Sequence, residues 1–130
     1  MRRHRSIFWV RLTAVIGLAI GVGACSTEPE LSLSDGAREG KTLYDNNGCA
    51  ACHGANGSGG VGPTLAGHAG STVALSDGSS VLADREYLIE SILLPQAQLV
   101  AGYNIKMPQN GLTAEQADLI AQFIEEMPLP

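Results

Sequence analysis

Residues 46–54 read Asn-Asn-Gly-Cys-Ala-Ala-Cys-His-Gly, and they hold two of the chain's three cysteines, Cys49 and Cys52, with His53 directly after the second. Three chemistries use a pair of thiols at this spacing. A redox dithiol uses C-x-x-C alone and expects a βαβ pattern around it. A zinc site needs about four ligands. Covalent haem attachment uses C-x-x-C-H: two thiols one turn apart can add to the two vinyl groups on one porphyrin edge, and the next residue can turn its imidazole to the iron. The chain holds neither a second cysteine pair nor a βαβ pattern, which favours the third chemistry.

Upstream, Arg2, Arg3, Arg5 and Arg11 surround a basic start, and Leu12 to Ala24 is apolar or small apart from Thr13. This is the charged-then-apolar order of an export signal, and the apolar run falls short of the ~20 residues a membrane span needs. It ends at Val22-Gly23-Ala24-Cys25, which resembles a bacterial lipobox, where cleavage precedes a cysteine that is then acylated. Residues 1–24 are therefore expected to be a lipoprotein signal peptide, 25–34 a lipid-anchored linker and 35–130 the domain. The alternative keeps the signal as an uncleaved anchor. Either way the domain is expected on the periplasmic side of a bacterial membrane and tethered to it.

Four of the eight Lys and Arg residues lie in 1–24 and none of the thirteen Asp and Glu do, so the remainder carries a net charge of −9. Such a surface repels phosphate backbones, which argues against a nucleic-acid partner and suits a protein partner with a basic docking patch. If Cys25 takes lipid, only Cys49 and Cys52 remain, and a bridge between them closes almost no loop.

Helices are expected at three places. Ser34 or Asp35 opens one that runs to about Asn46, stopped by Asn46-Asn47-Gly48. Asp84 opens another with Tyr87, Leu88, Ser91 and Ile92 on one face, ended by Pro95. Thr113-Ala114-Glu115-Gln116 is a capping box ahead of Ala117, Ile120, Ala121 and Ile124 at helical spacing. Thr72–Leu75 and Ser80–Leu82 flank Asp77-Gly78 as a small hairpin. Seven glycines crowd residues 54–70, a composition of irregular backbone pressed against something. So little apolar chain makes a poor core alone, and a bound group is expected at its centre. For a haem iron the sixth-ligand candidates are Met107, Met127 and His68. Met107 sits in a loop stiffened by Pro108 just before the last helix, which favours it; Met127 reads as packing and His68 as a solvated loop residue.

Taken together, these pieces make Asp35 to Met127 resemble the class I monohaem cytochromes c. Gly40-Lys41-x-x-Tyr44 resembles the family's first helix, and Gly62-Pro63-Thr64-Leu65 the segment whose proline carbonyl faces the proximal histidine. Met107-Pro108 resembles the distal loop, and Asp118-Leu119-Ile120-Ala121 the closing helix. The resemblance implies a mainly α fold: N- and C-terminal helices crossing, one further helix, glycine-rich loops and a small β-hairpin around a covalently bound haem c. It implies thioethers at Cys49 and Cys52, iron ligation by His53 and Met107, and Pro63 as hydrogen-bond acceptor for His53. The only tryptophan, Trp9, lies in the signal, so Tyr103 stands in for the tryptophan that many members place near a haem propionate. Residues 70–95 and 100–108 are similar to the cytochrome c domain fused to subunit II of some haem-copper oxidases. They are also similar to free lipoprotein cytochromes of alternative complex III type.

That resemblance implies single-electron transfer between respiratory complexes rather than catalysis, with a cytochrome oxidase or a quinol-oxidising complex as partner and no small-molecule substrate. The chain lacks the oxidase subunit's paired membrane helices and copper ligands, so it reads as a stand-alone version of that domain. A haem peroxidase or ligand sensor with a labile methionine is the alternative, as is a fixed electron-relay subunit of a larger complex.

Overall fold

The computed structural model describes residues 32–129. The expected signal at 1–24, Cys25 and the linker up to residue 31 lie outside the described residues. The elements are α1 (Asp35–Asn46), α2 (Ala50–His53), β1 (Thr72–Ala74), β2 (Ser80–Leu82), α3 (Arg85–Leu93) and α4 (Ala114–Glu125). This is the expected mainly helical fold with a small hairpin. Among the described residues no helix is long and apolar enough to cross a membrane.

Each long helix starts where its capping chemistry sits. Ser34 accepts from the Ala37 amide, Asp84 from Tyr87, and Thr113 from Gln116, whose side chain accepts in return from the Thr113 amide. These bonds satisfy amide groups that a helix start otherwise leaves without partners. Ser34 also donates to Glu126 through its amide and its hydroxyl, at 2.7 and 2.6 Å, which ties the start of α1 to the end of α4.

Helices α1 and α4 form the principal packing pair, and α3 packs on α4. Ala37, Gly40 and Tyr44 are the buried residues of α1; Ala117, Ile120, Ala121, Phe123 and Ile124 are those of α4. Tyr44 meets Phe123 edge to face, with ring centroids 5.4 Å apart. Gly40 permits the crossing: a Cβ there would lie 2.5 Å from the Leu119 carbonyl carbon and closer still to its oxygen. The two helix backbones themselves are in contact.

The hairpin is antiparallel, with Thr72 opposite Leu82 and Ala74 opposite Ser80. Strand β1 ends one residue earlier than the sequence suggests, at Ala74; Leu75 still donates its amide to Ser79 and on its other side bridges Val100. That bridge draws the chain after α3 toward the hairpin. At the end of α1 the left-handed residue is Gly48, at φ +74°, while Asn47 stays at φ −96°. The glycine absorbs the reversal because it has no Cβ to clash.

Candidate functional site

The reversal at Gly48 leads straight into α2, a single turn that the sequence pattern does not announce. It carries Cys52 and His53, with Cys49 at its N-cap position. Amides of the glycine-rich loop return to this turn: Gly59 donates to the His53 carbonyl at 2.8 Å and Gly62 to the Cys52 carbonyl at 3.0 Å. A Cβ on Gly62 would lie 2.9 Å from Cε1 of His53, so the bare glycine lets the loop lie against the imidazole. The next residue completes the arrangement. His53 Nδ1 and the Pro63 carbonyl oxygen are 2.8 Å apart. A carbonyl can only accept, so Nδ1 holds the proton and Nε2 keeps its lone pair.

Cys49, His53, Pro63 and Met107 all line a cavity of about 1030 Å³, counting its open mouth. Its walls are mostly apolar, with Leu65, Leu88, Ile92, Ile120 and Ile124 among them. A second cavity of about 610 Å³ is lined by the same four residues and adds Cys52 and Val61. The two cysteines are half-buried free thiols, and burial pushes the Cys49 thiol pKa up. An attacking thiol needs a shift in the other direction, so its surroundings do not favour Cys49 as a redox nucleophile. Among the described residues no cluster of three or more His, Cys, Asp or Glu could hold a metal ion, which leaves the zinc reading without ligands.

The lining suits a largely apolar group, and the haem that the C-x-x-C-H motif calls for is compatible with it. Among the described residues no Asp or Glu lines either cavity, and Lys106 lines both. An imidazole nitrogen and a thioether are at hand as neutral donors, with two thiols beside them. Ser91 Oγ is buried without a hydrogen-bond partner and Ser91 lines the larger cavity, so a polar atom in the filling would have a use for it.

The remaining candidates separate by position. Tyr103 lines the larger cavity but is 41 % exposed, so it stands at the rim rather than in the core. Met127 is buried and lines neither cavity; it packs under the glycine-rich loop, where a Cβ on Gly57 would run into its sulfur. His68 is not the solvated loop residue its neighbours suggest. It lines the larger cavity beside Tyr87, ring centroids 6.3 Å apart, and burial lowers its pKa. Only the fold brings it there. A family model for cytochrome c matches residues 37–128. No curated protein matches the chain.

Proposed function

Because this chain belongs to the cytochrome c family, we propose that it is a membrane-tethered carrier of single electrons in a respiratory chain. The family binds haem c covalently through C-x-x-C-H, and Cys49, Cys52 and His53 form that motif here. Haem c, when bound, supplies a one-electron Fe(II)/Fe(III) couple.

What the chain's own residues add is position and polarity. Pro63 holds the proton of His53 on Nδ1, leaving Nε2 as an uncharged iron donor. Met107 supplies the second uncharged donor, a thioether, from the same cavity. Two neutral donors in apolar surroundings favour the less charged, reduced state and so raise the potential. Were His53 and Met107 both to hold the iron, the protein would leave it no open position for a substrate. The observation that carries this reading is the shared cavity: His53, with its tautomer set by Pro63, lines it together with Met107 and Cys49.

The tether is read from Ala24-Cys25, and it holds the domain on the periplasmic side. The acidic composition and the exposed side chains of Val61 and Ile105, which line the cavity containing Cys52, support docking on a basic redox protein. The likeness to the oxidase subunit II domain and to alternative complex III lipoproteins suggests the partner class: a terminal oxidase or a quinol-oxidising complex. The test is to express the full chain with haem-attachment machinery and compare it with Cys25→Ser. Wild type should fractionate with membranes and titrate as a single one-electron centre, and Cys25→Ser should become soluble. A wild-type protein found wholly in the soluble fraction would refute the tether. A chain that takes up no covalent haem would refute the carrier.

A further inference from the structure

The segment Gly102–Leu112, which carries Met107, makes no backbone-to-backbone hydrogen bond among the described residues. The last such bond before it runs from the Ala101 amide to Ala74, and the next belongs to α4. Two side-chain amides connect the segment to the chain around α3. Gln96 Nε2 donates to the Met107 carbonyl at 2.7 Å, and Asn110 Nδ2 donates to the Ile92 carbonyl at 2.7 Å. The first of these acts on the methionine itself.

Gln96 stands on a firm platform. Pro95 is buried and fixes its own φ, and the Ala97 amide closes the turn on Leu94 at 2.9 Å. Gln98 reaches back to Glu90 of α3 at 2.6 Å, and the Leu99 carbonyl accepts from Ser76 at 2.8 Å. A rigid turn therefore offers one donor to a loop that has no ladder of its own.

We propose that Gln96 is the positioning residue of the methionine loop, a latch that sets how often Met107 leaves its seat. The inference rests on the reading of Met107 as an iron ligand. Foreign ligands can bind only while the methionine is away, so their apparent affinity scales with the open fraction. Losing one hydrogen bond of ordinary strength raises that fraction about fivefold.

The experiment measures imidazole binding to the ferric, haem-loaded protein by its spectral change, in wild type, Gln96→Leu, Gln96→Glu and Met107→Ala. Glutamate keeps the length of the side chain but, as a carboxylate, cannot donate; leucine is uncharged. Both variants should bind imidazole about fivefold more tightly than wild type, with the unfolding equilibrium shifted by no more than about that same factor, because the one bond is absent from the open and the unfolded state alike. A merely structural role would move the midpoint and leave the binding alone. If Met107→Ala loses the red methionine-to-iron band while both Gln96 variants bind imidazole as wild type does, the latch is wrong and the ligand assignment stands. If Met107→Ala keeps that band, the ligand assignment falls and takes the latch with it.

Discussion

Replacing Gly40 by alanine tests the contact on which the fold turns. The added Cβ would lie 2.5 Å from the Leu119 carbonyl carbon and closer still to the oxygen. Both are backbone atoms of α4, so no side chain can swing away. Restoring ordinary contact to both atoms requires the helices to part by more than about 1 Å, and a gap of that size already forfeits up to about half of each affected dispersion well. Overpacking of this kind costs about 1–3 kcal/mol, and a backbone obstacle belongs at the upper end. Alanine's better helix propensity returns about 1 kcal/mol. The net expectation is a loss of about 2 kcal/mol, a factor of about 30 in the folded-to-unfolded ratio. Gly36 of the same helix is the control, because a Cβ there meets the end of the flexible Gln122 side chain. Gly36→Ala should be neutral or stabilising by up to about 1 kcal/mol. The assay is guanidinium unfolding of the haem-loaded protein followed by far-ultraviolet circular dichroism. Equal stabilities for Gly40→Ala and Gly36→Ala would refute the close crossing.

Three other outcomes follow from single side chains. Tyr44 donates to the Gly54 carbonyl at 2.6 Å, and that oxygen also accepts from Gly57, so Tyr44→Phe should cost only about 1 kcal/mol in denaturant unfolding. Burial above all pushes the Tyr44 pKa up to about 12. Its contribution is therefore complete below pH 10 and lost toward pH 12, and Tyr44→Phe should flatten that alkaline slope. For His68 the pKa is lowered, so its contribution is present above 6.5 and lost as pH falls through the depressed value; His68→Gln should reduce the acid-side slope of a stability-against-pH curve. Ser91→Ala removes a buried hydroxyl without a protein partner, so a stability loss above about 1 kcal/mol in the haem-loaded protein would reveal a partner on the bound group, whereas no loss means there is none.

Much of this architecture is legible in the sequence because its signals are local. Ser34, Asp84 and the Thr113–Gln116 box announce helices through hydrogen bonds that close within three residues. Asp77-Gly78 marks the hairpin for the same reason, and Gly40 is legible through the resemblance of Gly40-Lys41-x-x-Tyr44 to the family's first helix. The four-residue α2 is not legible, since a single turn has no periodicity and is held by loop amides that return from Gly59 and Gly62. Gln96 escapes notice and His68 is misplaced on similar grounds. One lies in a turn and the other among glycines, and only the tertiary fold brings Gln96 to the Met107 carbonyl and His68 to the cavity.

Whether His53 and Met107 hold the same iron is decided most directly by the optical spectrum of the ferric, haem-loaded protein, wild type beside Met107→Ala. Wild type should show a weak methionine-to-iron band at the red end, and the variant should lose it. A band that survives in Met107→Ala, or one that is missing from wild type, would contradict ligation by this pair.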